Sequence, residues 1–363
     1  MNSVNSIEWS SHCLLQPMKS KSLDEEVKRS LGFVPKMFAY LYPLPWTARG
    51  VMAIYAFVNR HIQHWPSDFG PLMNLVIAQE NSCRYCYGSA RIYLKFLGYK
   101  EAEIRKLEHS LYSVDLSDPE KAGLLFVRKL TRLNPRPKKS DLSALYAAGL
   151  TQAAVEELVF YCSINSFLKR FTIPLAVPPE DFDTMDASRW KNPFIPVISF
   201  LVKKSVSKGN WSPESTTEIT IFSPFTERIA SLPTAQRMLQ EMIRNCWDSP
   251  HLTKRTKALL FAVVGKTLEC PLTEQEAKRL LLAEGMDSLQ IEAVMTYLHA
   301  PVLHAEELST IRFAIDLLKA PPIRAQALTR EFSVGLEPET LLETLGTIGL
   351  ASCLSKLSVL MED

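Results

Sequence analysis

Glycine is scarce in this sequence, at 13 of 363 residues, and no stretch alternates polar and apolar residues with the period of two that a half-buried strand needs. Both gaps tell against a turn-rich β protein. An excess of charge of either sign is also missing, since 41 basic side chains face 39 acidic ones and leave a net charge of +2. That balance supplies no electrostatic basis for nucleic acid or an anionic membrane, so neither partner is expected. Apolar runs are short: Phe194 to Val202 falls well below the roughly 18 residues that span a bilayer. The stretch Met1 to Lys19 has no charged start followed by an apolar core, so no secretory signal is expected. Seven cysteines, only two of them close together, do not form the paired framework of a secreted domain. The expected setting is the cytoplasm.

What is present has helical character. Hydrophobic residues at 47% and charged residues at 22% are a globular composition, and 23 prolines cluster in a few stretches. Leu124, Val127, Leu130 and Leu133 are spaced by three, and Val155, Leu158, Val159 and Cys162 follow a three-four pattern. Ser117-Asp118-Pro119-Glu120 and Thr151-Gln152-Ala153-Ala154 read as helix starts, while Gly98, Gly149 and Gly285 stand where helices should stop. The expected fold class is all-α.

The chain also resembles itself. Leu72 to Leu130 can be laid over Leu259 to Leu317 without a gap, pairing Val76 with Val263, Cys83 with Cys270, Ala90 with Ala277, Gly98 with Gly285 and Phe126 with Phe313. After a slip of one residue, Gly149-Leu150 meets Gly335-Leu336. A tandem duplicated helical bundle follows. Its first domain is expected over residues 1–177, a Pro- and Ser-rich linker over 178–224, and a second, degenerate copy over 225–363. The apolar island in the linker, Phe194 to Val202, is expected to pack on a domain.

The residues able to carry chemistry lie in Glu80-Asn81-Ser82-Cys83-Arg84-Tyr85-Cys86-Tyr87. Two cysteines separated by two residues at a helix start can close a disulfide or attack and release a mixed one. Arg84 pairs with Pro271 of the second copy, and proline is tolerated at the first helical position, which puts Cys83 at or next to the N-cap. There the free amides and the positive dipole end favour thiolate. Cys83 is therefore expected to be the exposed, attacking sulfur and Cys86 the resolving one. A zinc site would need two further ligands that the sequence does not place nearby, so no metal is expected, and no cofactor. Cys162 and Cys353, on apolar faces, read as small packing residues. The second copy keeps Cys270 but has Thr273 where Cys86 would be, so it cannot form the local disulfide.

Leu75 to Cys86 resembles the core of the alkyl hydroperoxidase D-like, carboxymuconolactone decarboxylase superfamily, in its peroxidase-related branch. Gly32-Phe33-Val34-Pro35-Lys36-Met37-Phe38 is similar to the family's N-terminal segment, and Asn165 to Phe171 to its last helix. The resemblance implies an all-helical protein, a possible homo-oligomer, and a thiol–disulfide couple that reduces a peroxide or disulfide with electrons from a lipoyl-type or other dithiol. It implies antioxidant oxidoreductase activity at Cys83 and Cys86. The sequence departs from the family's proton relay, whose positions hold Pro71, Tyr85 and Ala90. Glu80 is a candidate acid or base in its place, with a capping carboxylate as the alternative. Tyr85 is a candidate hydrogen-bond donor to thiolate or peroxide. His61 and His64 share a helical face if their segment is helical, and offer a further substitute, with surface or packing histidines as the alternative; Tyr87 and Trp65 are candidates for the pocket mouth, with aromatic core packing as the default. The competing function is a non-catalytic helical scaffold that has lost the relay. A decarboxylase ranks last, because no motif supplies convergent His and Arg groups for an anionic substrate.

Overall fold

The computed structural model describes residues 9–10, 12–111, 115–180, 210–213, 219–297 and 302–361. Among these residues the chain is all-α, with no strand, as composition and periodicity predict. The first half runs α1 (Lys21–Leu31), α2 (Phe38–Leu41), α3 (Pro45–Arg60), α4 (Phe69–Glu80), α5 (Arg84–Phe96), α6 (Glu101–His109), α7 (Asp118–Arg132), α8 (Lys139–Ala147) and α9 (Gln152–Thr172). The second runs α10 (Ser223–Glu227), α11 (Pro233–Asp248), α12 (Lys254–Thr267), α13 (Pro271–Ala283), α14 (Ser288–Tyr297), α15 (Ala305–Lys319), α16 (Pro322–Phe332) and α17 (Pro338–Leu357). The island at 194–202 lies outside the described residues.

Local chemistry sets the helix ends where the sequence places them. Ser117 caps α7 by accepting from the Glu120 N–H while the Glu120 carboxylate returns to the Ser117 N–H, a reciprocal capping box. Thr151 caps α9, and Pro45 and Pro233 open α3 and α11 at positions where a missing N–H costs nothing. Gly98 and Gly285 follow α5 and α13 with φ of 101° and 88°, a left-handed turn that a side chain would resist.

Helix boundaries recur in the register that pairs Leu72 with Leu259. Arg84–Phe96 corresponds to Pro271–Ala283, and Asp118–Arg132 to Ala305–Lys319. In each half the helix before the Cys corner packs against the one after it, α4 on α5 and α12 on α13.

The centre of the molecule is the crossing of α9 and α17. Both are buried almost all round, which is what an apolar sequence on every face of a helix requires. Their approach depends on glycine: a Cβ at Gly349 would lie 3.1 Å from the Phe167 backbone, and one at Gly346 would meet the Trp46 ring at 2.7 Å. Pro338–Met361 is long and apolar enough to cross a membrane by length and composition, yet nearly all of it is buried within the fold, as a core helix is.

Polar contacts stitch the halves together. Arg228 and Ser231 converge on the buried Glu156, and Arg136 reaches across to the Leu268 and Ser355 carbonyls and the Ser358 hydroxyl. Arg170 donates to the Leu317 carbonyl, and Lys356 returns the favour to that of Thr131.

Candidate functional site

The site is built on the corner between α4 and α5. At the end of α4, Ser82 takes a left-handed φ of 52°, an uncommon conformation for serine that turns the chain sharply. The Cys83 N–H then donates to the Ala78 carbonyl at 2.9 Å, which ties the corner to α4. Cys83 is the N-cap of α5, with its Sγ accepting from the Cys86 N–H at 3.2 Å. This is the position inferred from the proline of the second half. Cys86 follows in the first turn, with a Cα–Cα separation of 5.4 Å, and the two sulfurs form a disulfide.

Both cysteines are buried, where the sequence led Cys83 to be expected exposed. Cys83 is 0% exposed and Cys86 2%. A cavity of about 60 Å³ has Cys86 in its wall and not Cys83. The cause is the capping geometry: the Cys83 side chain folds back over the helix end and lies against α9, where the Thr172 hydroxyl sits 3.4 Å from its sulfur. The same hydroxyl is 3.7 Å from the Cys86 sulfur. Cys86, one turn on, is the one of the two that lines this cavity, while Cys83 sits on the free amides of the helix end.

This cavity adjoins a second chamber of about 140 Å³, called the outer one, only through shared walls: Tyr55, Val58, Asn74, Tyr85, Ser89 and Tyr161 line both. Phe33, 40% exposed, stands at the outer edge. The Tyr85 phenol donates to the Glu180 carboxylate at 2.7 Å and lies 3.2 Å from the Tyr55 hydroxyl. Burial, then Tyr55 and Glu180, raises its pKa well above the ordinary tyrosine value, so it stays protonated at neutral pH. Tyr85 is thus where the sequence puts it, in the wall beside the thiols, with its proton engaged by Glu180.

Glu80 is elsewhere. It pairs with Arg128 at 3.0 Å and with Arg132, both on α7, and lines neither chamber. Two arginines on α7 hold its side chain away from both chambers, which places it outside the reach of the sulfurs expected of an acid or base. The histidines stay away too. His61 is enclosed by Phe57 and Trp211, and burial followed by the charge of Arg60 lowers its pKa. The backbone N–H of His64 is held by Glu157, and neither histidine lines a chamber. Trp65 stacks on Phe69 at 4.0 Å and Tyr87 donates to Glu108, so both are structural rather than pocket-mouth residues.

The structure adds three polar residues that carry no sequence motif: Thr172 between the sulfurs, and Asn74 and Glu180 in the chamber walls. They come from α9, α4 and the segment after α9, and no local spacing connects them to the cysteines. Among the described residues no group of three or more His, Cys, Asp or Glu side chains is arranged to hold a metal ion.

In the second half the same corner is closed. Glu269 repeats the left-handed turn with φ of 53°, and the Cys270 Sγ accepts from the Thr273 N–H at 3.4 Å. The hydroxyls of Thr273 and Ser358 each lie 3.1 Å from that sulfur. Phe261, in the place that corresponds to Asn74, is buried against Phe222.

No known protein family and no curated protein matches this chain in sequence. Among solved structures, the debrominase Bmp8, in a cysteine-to-alanine form with 2,3,4-tribromopyrrole, is similar to it with a TM-score of 0.43 and 14% identity. That likeness covers 50% of this chain and 100% of the other.

Proposed function

We propose that this protein is a thiol–disulfide oxidoreductase, a peroxidase or disulfide reductase of antioxidant defence, working through Cys86 and Cys83 in the manner of alkyl hydroperoxidase D-like proteins. The observation that carries the reading is a cysteine pair at disulfide distance, one sulfur in a cavity wall and the other capping a helix. The positions where that family's relay would stand, Pro71, Tyr85 and Ala90, all line the outer chamber, which supports the reading. We read the chain as a tandem in which the second copy covers the apolar face of the first, the task an oligomeric partner would otherwise perform.

In the cycle, the Cys86 thiolate attacks one peroxide oxygen, the O–O bond breaks, and the other oxygen leaves as an alcohol or water after taking up a proton. The Cys83 thiolate then attacks the Cys86 sulfenic acid, forming the disulfide and releasing water. An external dithiol of the lipoyl type returns both thiols and is itself oxidised to a disulfide. The Thr172 hydroxyl, in reach of both sulfurs, can donate to whichever is anionic. A cytoplasmic setting, where dithiols are kept reduced, suits this cycle.

The test is quantitative. Reduced protein treated with hydrogen peroxide or tert-butyl hydroperoxide should lose two alkylatable thiols at Cys83 and Cys86, and a dithiol should restore them. Cys86→Ser should abolish peroxide consumption; Cys83→Ser should permit one oxidation of Cys86 and then stop. Unchanged turnover in Cys86→Ser would remove the proposal.

A further inference from the structure

The second half carries a cavity of its own, of about 530 Å³, where the starts of α12, α15 and α17 meet. That volume falls within the roughly 300–1,000 Å³ of small-molecule sites. It shares no lining residue with the chambers beside Cys86. In the register that pairs Leu72 with Leu259, its walls hold Thr256 where the first half has Phe69, and Thr310 where it has Gly123. The first half fills this place with rings. Phe69 stacks on Trp65 at 4.0 Å, and a Cβ added to Gly123 would lie 2.7 Å from the Trp65 ring. Two threonines in place of a ring and the glycine against it leave the space open.

Its buried lining is polar and consists of acceptors. Thr256, Thr310 and Glu307 are all buried. The Thr310 hydroxyl spends its single proton on the Glu306 carbonyl at 2.8 Å, which leaves only lone pairs for an incoming molecule. The Thr253 and Thr256 hydroxyls, both in the wall, lie 2.8 Å apart and use one proton between them. Glu307 accepts from the His304 N–H at 2.9 Å and pairs with Arg255 at 2.9 Å, so its charge is already met. Among the described residues no Lys or Arg side chain lines the walls. The other ionisable groups of the lining, His251, His304 and Glu306, are exposed. A buried ion of either sign would therefore lose hydration without gaining a free counter-charge. Phe332, Val334 and Leu336 add apolar surface, and Val334 is 81% exposed.

We infer that this cavity is a second binding site, for a small uncharged polyol or monosaccharide. Hydroxyl acceptors on two helices, Thr253 and Thr256 at the start of α12 and Thr310 on α15, call for donors at more than one position. The apolar surface beside them calls for carbon. A polyhydroxylated ring brings both: its O–H groups donate to the threonine oxygens while its C–H face covers Phe332 and Leu336. The site is independent of the cysteine pair and of the function proposed for it.

Saturation-transfer NMR on the full-length protein tests this. Methyl α-glucoside and myo-inositol are the polyol probes, cyclohexanol is a ring with one donor, choline a cation and acetate an anion. Saturable transfer is expected to at least one polyol, with an affinity at least tenfold above those of the other three probes. Thr256→Phe copies the first half's ring into the cavity and should abolish the binding. Thr310→Val keeps the shape, removes the acceptor and should weaken binding at least threefold with an unchanged circular dichroism spectrum; it decides alone if Thr256→Phe does not fold. No saturable transfer to either polyol overturns the site, as does binding of cyclohexanol, choline or acetate as tight as the polyol's. Polyol binding that is unchanged in Thr310→Val, or in folded Thr256→Phe, overturns it too. A protein carrying both Cys83→Ser and Cys86→Ser should bind the polyol as the wild type does, so this site and the proposed function fail separately.

Discussion

The two halves of this chain build the same helix corner and furnish it oppositely. In the first, a left-handed Ser82, an N-cap Cys83 and a first-turn Cys86 border a cavity whose wall includes Asn74. In the second, Glu269, Cys270 and Thr273 repeat the backbone, but the first turn offers a hydroxyl and Phe261 replaces the small amide. The buried carboxylates differ in the same spirit. Glu157 accepts only backbone N–H groups, from Gln63 and His64, and burial raises its pKa. Glu343 does likewise with His251 and Leu252 but adds a fully buried Lys257 at 2.9 Å. The difference teaches that one backbone corner can carry different side chains, since backbone geometry and side-chain furnishing are set by different residues.

Breaking the second half's ion pair should have the largest effect. Lys257→Met leaves the Glu343 carboxylate without its cation, and about 3 kcal/mol of stability should be lost in urea unfolding. If the loss is close to zero, the backbone donors and the Ser249 hydroxyl suffice there without a cation. Next, Asn74→Phe copies Phe261 into the first half and should slow iodoacetamide labelling of Cys86 on the order of a hundredfold, with the fold retained by circular dichroism, because a ring fills the space that gives access. Labelling at the wild-type rate would show that access does not run past Asn74. Thr273→Cys should allow a second disulfide with Cys270, whose sulfur already lies 3.1 Å from the Thr273 hydroxyl. Since buried Phe261 stands where Asn74 borders the cavity beside Cys86, peptide mapping after peroxide should find that pair forming at least tenfold more slowly than Cys83–Cys86; equal rates would break the comparison.

The smallest effect concerns the seam. Lys169 is buried, and burial, followed by the nearby charge of Lys356, lowers its pKa well below 10.5. Between its folded pKa and 10.5 the unfolded chain binds more protons at this group, so the wild type gains stability from it as pH rises and loses it as pH falls. Lys169→Met should therefore be more stable at neutral pH by about 1 kcal/mol, and the advantage should shrink as pH approaches 10.5, read from Tm across pH.

Much of the fold was legible because its signals are local. Ser117 and Thr151 cap where their hydroxyls meet free amides, Gly98 and Gly285 stop helices because left-handed turns suit glycine, and Pro271 places the N-cap at Cys270 and, by register, at Cys83. The pair itself was legible for the same reason: three residues along a helix start bring two sulfurs together whatever surrounds them. Glu80 was misread because its partners, Arg128 and Arg132, lie far along the chain on α7, and a carboxylate's role depends on which charges face it. The burial of Cys83 was not legible because an N-cap side chain is exposed only if nothing covers the helix end, and α9 covers it with Thr172.

By itself the sequence determined an all-helical chain, its helix ends and a cysteine pair at one of them, since each depends on hydrogen bonds and dihedral preferences within a few residues. The tertiary structure alone decided which cysteine lines the cavity, that Glu80 pairs with Arg128 and Arg132, and that Tyr85, Asn74 and Glu180 share one chamber. Those facts depend on α4, α5, α9 and the segment after it meeting in space, through burial and charge between residues that no local pattern connects.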